Sequence, residues 1–225
     1  MGLILSYFRS PGADESIYLR ESMILAENLK NGEWFGNSAV GLHGFLFKLP
    51  VAFIYFFIGP SISVATVYNL LLSVLAVLLL YRLLYKHFLL RGWALAGSIL
   101  FATSFQFIQT MPTYMREIPV IISLLLLTDA VLSRKNPWIC GILLLLVLDA
   151  KEHVFFMIIP GYLIWIIIQE YLLDEKTLKW TTIRNIFYRI SASVLPPVLW
   201  LLLMFTTGII PLNIFNATIL NLWEG

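Results

Sequence analysis

An apolar chain of 225 residues is interrupted by three charged pairs, Asp14-Glu15, Arg116-Glu117 and Lys151-Glu152. Each falls at the end of a hydrophobic stretch. A carboxylate such as Asp14 or Glu15 can take a proton from an acceptor hydroxyl, provided it lies within hydrogen-bond reach of it, and the pair could equally ligate a metal. The guanidinium fork of Arg116 suits a phosphate or a carboxylate. Lys151 is a natural partner for a lipid phosphate, and Glu152 for either Lys151 or Arg116. Each also has an ordinary explanation. Acidic residues favour the first turn of a helix, an interfacial Arg snorkels, and Arg116, Lys151 and Glu152 could form a self-neutralised cluster.

The run Asp149-Ala-Lys-Glu-His153 is the strongest local signal, because such a turn between apolar stretches would ordinarily use Gly, Asn or Pro. His43-Gly44, ahead of another apolar run, could line a cleft or shape a membrane entry. Asp129 reads as a helix-packing residue or a partner of Arg134, and His153 as a polar neighbour of the run. Asn216-Ala217-Thr218 matches a glycosylation acceptor pattern common by chance. Cys140, the single cysteine, rules out an intrachain disulfide and a cysteine metal cluster and reads as a small buried hydrophobe.

The elements that must position these residues are legible in the composition. Sixty per cent of the chain is hydrophobic and 12% charged, against about 25% charged in soluble domains. The apolar runs are long enough to cross a bilayer as helices of about 20 residues. The expected fold is an all-α, polytopic membrane helix bundle in one domain, residues 1–225, with lipid bilayer as surroundings and no nucleic acid among its partners. Residues 1–8 read as the tail of a membrane helix, 9–13 as a turn, and Asp14 as the cap of a helix over 15–30 that ends at Asn31-Gly32. That helix and the run 42–58, which holds His43, Lys48 and Pro50, read as juxtamembrane amphipathic helices in a first extracytoplasmic segment, 9–60; the run 42–58 reads as interfacial or re-entrant, and the competing reading, a true span, would invert the topology of everything after it. About six spans follow within 61–210: residues 62–85, 92–112, 117–133, 137–150, 153–173 and 190–210. Residues 41–130 and 131–225 share no motif at matching positions, which disfavours an inverted-repeat transporter.

Alternate connections are basic: Arg82, Lys86 and Arg91, then Arg134 and Lys135, then Lys176, Lys179, Arg184 and Arg189. The intervening connections hold only Arg116 and Lys151. The positive-inside rule makes the first set cytoplasmic, which puts all three charged pairs on the opposite, extracytoplasmic side. The helix 137–150 would reach only about 21 Å against a hydrocarbon core of about 30 Å. Asp149, Lys151, Glu152 and His153 are then expected below the outer surface, where they stay charged only by facing one another or a polar cavity.

This layout resembles the type-C (GT-C) integral-membrane glycosyltransferases, the superfamily of protein mannosyltransferases and aminoarabinose transferases. The matching residues are Asp14-Glu15, the stretch His43 to Pro50 (HGFLFKLP), Gly59, Tyr114 to Glu117 (YMRE) and Asp149 to His153 (DAKEH), within about residues 5–175. The HG and KE pieces look most like the archaeal and bacterial branch, which implies a prokaryotic plasma membrane. The resemblance implies inverting transfer of a sugar from a polyprenyl-phosphate donor to a protein, lipid or glycan acceptor. Asp14 would be the base, and Glu15 would support it or contact the acceptor. Arg116 and Lys151 would hold the donor phosphate, with His43, Glu117 and Glu152 in the substrate site; the two carboxylates could hold a divalent cation, Mg²⁺ or Mn²⁺, although no ligand spacing is diagnostic of one. Members of the superfamily have a complete first helix before the acidic pair and continue past their last span. The resemblance therefore also implies a truncated or minimal member. The competing readings are a lipid-linked-sugar transporter or flippase and a non-catalytic membrane subunit.

Overall fold

A computed structural model describes residues 13–32, 44–88, 90–173 and 179–206. Among these the protein is helical throughout, with no strand: α1 (Ala13–Lys30), α2 (Phe45–Ile58), α3 (Ile62–His87), α4 (Arg91–Ala102), α5 (Phe105–Thr110), α6 (Glu117–Leu132), α7 (Pro137–Ala150), α8 (Glu152–Leu173) and α9 (Trp180–Thr206). The expectations for residues 1–8 and for His43 and Asn216 lie outside the described residues.

Among the described residues three helices are long and apolar enough to cross a membrane: Ile62–His87, Glu152–Leu172 and Trp180–Met204. The other expected spans are shorter, and one is broken. The stretch 92–112 is not continuous, because α4 stops at Ala102 and α5 starts at Phe105. The Thr103 hydroxyl donates to the Ile99 and Leu100 carbonyls and the Ser104 hydroxyl to that of Phe101. These side chains satisfy the last carbonyls of α4 while Ser104 turns extended. The last helix begins at Trp180 rather than near 190, so Arg184 and Arg189 are inside it.

At the basic end, α6 closes with a Schellman-type turn. The Lys135 N–H donates to the Ala130 carbonyl and the Arg134 N–H to that of Val131, with Arg134 in the left-handed region at φ 51°. Pro137 then opens α7 behind Asn136, whose side chain accepts from the Trp138 N–H at 3.0 Å. Asp129 pairs there with Lys86 and His87, both at 2.7 Å, and not with Arg134.

Helix α7 is the packing centre, in contact with α2, α6, α8 and α9. It meets α9 closely at Gly141, where a Cβ would lie 2.7 Å from Pro196 Cγ and 2.9 Å from the Ala192 carbonyl oxygen. One core cluster joins α6, α7 and α8 around Leu144, Val147 and Ile166. A second lies at the opposite end from Asp129, where α1 packs Leu19, Leu25 and Ala26 against Val51, Ala52 and Tyr55 of α2, together with Tyr114 and Met204. Much of the remaining surface is apolar, including Phe57, Leu100, Phe105 and Met157. A soluble protein rarely exposes so many large apolar side chains, and a lipid bilayer is the solvent that accepts them.

Candidate functional site

The end of the structure holding α1 and α2 gathers the N-termini of α3, α6 and α8 and the C-terminus of α7. The connection from α5 to α6 carries Arg116 there, and one buried side chain anchors it. Asn69 of α3, fully buried, donates through Nδ2 to the carbonyls of Thr110, Met111 and Thr113 at 3.2, 3.1 and 2.6 Å. The Thr110 and Thr113 carbonyls also accept from the Thr113 and Met115 N–H groups within the loop, while Asn69 ties all three carbonyls to α3, so one asparagine in a greasy helix sets the course of the loop.

Helix α1 reaches the same loop. Glu15, 2% exposed, accepts from the Tyr114 N–H at 2.9 Å, and Tyr114 Oη lies 3.0 Å from Ser22 Oγ. Burial pushes the Tyr114 phenol far above its usual value. Asp14 is exposed and sits in the first turn of α1 rather than at its cap, since the helix already begins at Ala13. Its charge is felt one turn on, at Tyr18. The Tyr18 hydroxyl accepts from Arg116 Nε at 2.8 Å, and the Arg116 guanidinium also stands 5.2 Å from the Tyr18 ring centre. Burial raises the Tyr18 phenol, and Arg116 works against that rise.

The turn between α7 and α8 is one extended residue, Lys151. It presents both neighbouring pairs to the loop. Arg116 Nη1 donates to the Ala150 carbonyl at 2.9 Å and lies 3.6 Å from Glu152 Oε2. Lys151 Nζ donates to Glu117 Oε1 at 2.7 Å. The two dipeptides thus exchange partners, 116 with 152 and 117 with 151. Arg116 is mostly buried, whereas Glu117, Lys151 and Glu152 are partly exposed.

Helix α2 is locked to this turn. Gly44 stands in the left-handed region at φ 76° and its N–H donates to the Asp149 carbonyl at 2.7 Å. A Cβ there would come within 3.0 Å of Arg116 Cδ, so only glycine suits both the backbone and the space. The Leu46 N–H donates to Asp149 Oδ2 at 3.0 Å. Lys48, at 0% exposure, donates to Glu21 Oε2 at 2.7 Å. Burial pulls its ammonium below the usual lysine value, and the bond to Glu21 offsets part of that.

Glu15, Arg116, Glu117, Lys151 and Glu152 therefore share one network, and Asp14 borders it. Asp149, the first residue of the run 149–153, belongs to it as well, and Glu21, Lys48, Tyr18, Tyr114 and Asn69 do so without having been singled out as site residues. The signal for three of them was present: Glu21 interrupts an apolar helix face, Lys48 an apolar run and Asn69 an apolar span. In this network carboxylates outnumber cations. Among the described residues no group of three or more His, Cys, Asp or Glu side chains is arranged to hold a metal ion, so the expectation of Mg²⁺ or Mn²⁺ finds no ligand set there. Comparison with protein-family models, with curated proteins and with solved structures finds no match to this chain.

Proposed function

We propose that this chain is a polytopic membrane transferase of the GT-C type, with its site on the extracytoplasmic side and α1 and α2 lying at the membrane interface. The supporting observation is the meeting of three remote charged pairs. Glu15, Arg116 and the Lys151 turn are joined through Tyr114, Tyr18 and Ala150 at one end of the helices. The basic residues Arg82, Lys86, Arg134 and Lys135 belong to the other end, as the positive-inside rule requires of a cytoplasmic face.

In this reading Asp14, exposed beside Tyr18, takes the proton of an acceptor hydroxyl. The acceptor oxygen bonds to the sugar's anomeric carbon as the bond from that carbon to the polyprenyl phosphate breaks. The leaving phosphate gathers charge, and cations that stabilise it lower the barrier. Arg116 and Lys151 supply them, once the phosphate replaces the partly exposed Glu152 and Glu117. Glu15 is buried against the Tyr114 amide and acts as a positioning residue. The donor is a polyprenyl-phosphate sugar, the acceptor a protein, lipid or glycan, and the location a prokaryotic plasma membrane.

The test is sugar transfer from a labelled polyprenyl-phosphate donor by the full chain in liposomes. Asp14→Asn is expected to cut turnover by at least a hundredfold with membrane insertion intact, and Lys151→Ala to raise the KM for donor. Unchanged turnover in Asp14→Asn removes that residue from the mechanism. The completed exchange of ion pairs, Arg116 with Glu152 and Lys151 with Glu117, favours a second reading, a non-catalytic membrane subunit whose charges are structural. Co-purification with a larger transferase, and no activity alone, would select it.

A further inference from the structure

Helices α6 and α8 both pack against α7 and barely touch each other. Between them runs an open groove of about 330 Å³, to which Phe88, just after α3, adds a wall. Leu127 and Tyr162 are buried in its lining, and Thr128 and Trp165 are exposed in it. Its hydroxyls are spent. Tyr162 Oη donates to Ser193 Oγ at 2.6 Å, and Thr128 Oγ1 donates to the Leu124 carbonyl at 2.8 Å. The groove therefore suits hydrocarbon. From Leu124 to Leu132 it follows α6 for about 12 Å. An apolar cavity of about 150 Å³ holds the six carbons of benzene, so this one takes about twelve.

Positive charge gathers where the groove ends. Arg134 and Lys135 follow closely on Leu132 and are both exposed. Among the described residues their side chains make no hydrogen bond or ion pair. Lys86 stands just before Phe88, on the other wall. The carboxylate at this end, Asp129, is already met by Lys86 and His87, both at 2.7 Å. An apolar slot that leads to unspent cations matches an anionic amphiphile, and basic sites between membrane helices take anionic lipid headgroups. We propose that the groove between α6 and α8 binds an anionic phospholipid, with one acyl chain along the slot and its phosphate at Arg134 and Lys135. Cations at the end of α6 also suit its dipole, a role that would leave the choice of lipid untouched. The site does not depend on the transfer reaction proposed above, because it lies at the far end of α6 from Arg116 and Glu117.

Photolabelling of the full chain in phosphatidylcholine nanodiscs tests this, with phosphatidylglycerol and phosphatidylcholine probes that carry the same acyl-chain diazirine. Labelled peptides are mapped by mass spectrometry. The phosphatidylglycerol probe should label residues 124–132 and 158–165 about tenfold more than the phosphatidylcholine probe does. The exposed Leu95 and Ile99 of α4 should take both probes equally. Arg134→Gly with Lys135→Ala should bring the groove ratio to about one. Glycine at 134 also relieves the left-handed backbone there, at φ 51°, so the charge is removed without straining the turn. Thr128→Trp fills the groove from an exposed position and should remove groove labelling by either probe. Excess inorganic phosphate should not compete, whereas unlabelled phosphatidylglycerol should. Equal labelling by the two probes in the wild-type chain overturns the assignment, as does a preference that survives the loss of both cations or labelling that persists with Thr128→Trp. Displacement by inorganic phosphate would show an anion site with no use for the groove and would overturn it too. Groove peptides protected from both probes, with cross-linked dimers, would give this face to a second copy of the chain. The wild-type ratio decides even where a variant does not fold.

Discussion

Adjacent in sequence, Asp14 and Glu15 live in opposite environments. Asp14 is exposed on the first turn of α1, while Glu15 is buried and accepts from the Tyr114 N–H. Replacing Glu15 by Ala leaves that N–H without an acceptor in a region closed to water, which costs about 1–3 kcal/mol. Replacing the exposed Asp14 by Ala should change stability by less than about 0.5 kcal/mol. Thermal unfolding of the two variants in detergent checks the contrast. Equal losses would mean that Asp14 is as structural as Glu15 and would weaken the proposal that it acts as a base. That an acidic pair at a helix start divides into one buried and one exposed member was not legible in the residues alone. It depends on where Tyr114 comes to lie, ninety-nine positions away in the chain.

The elements explain which parts of the network could be foreseen. Arg116-Glu117 and Lys151-Glu152 each close an apolar run, so their arrival at one end follows from alternating helix direction. Their exchange of partners does not, because it depends on the Lys151 turn being a single extended residue. The break after Ala102 was equally hidden. Residues 92–112 read as one apolar run, and the stop is marked by Thr103 and Ser104, whose hydroxyls add a second donor to carbonyls of the preceding turn. Asn69 carries the clearest consequence for an element. Its amide holds three carbonyls of the loop that leads to Arg116. Asn69→Leu matches its size but removes the donors, and should cost about 1–3 kcal/mol by leaving the Met111 carbonyl unpaired and releasing the loop from α3. Hydrogen exchange of the 110–116 amides should quicken in that variant more than exchange within α7. Uniform quickening across the chain would show that Asn69 stabilises the bundle generally and does not direct the loop.

At the scale of the whole molecule, the described helices sort charge by end. Asp129, Lys86, His87, Arg134 and Lys135 lie where α3 and α6 finish, and the Glu15 to Glu152 network lies where α6 and α8 begin. The apolar exterior between the two ends includes Leu71, Leu78, Ile99 and Ile142. Moving charges through that layer is costly in lipid, so the two polar ends should face different compartments. A single reactive thiol placed at either end reads this out. In a Cys140→Ala background, Arg20→Cys on α1 and Lys135→Cys after α6 are both exposed positions. A membrane-impermeant maleimide should label Arg20→Cys in intact cells and Lys135→Cys only in inverted vesicles. Labelling of both from the same side would place the two charged ends on one face of the bilayer. The convergent network would then be a surface feature of a chain that does not cross the membrane between them, and an extracytoplasmic transfer site fed by a lipid-borne donor would lose its physical basis.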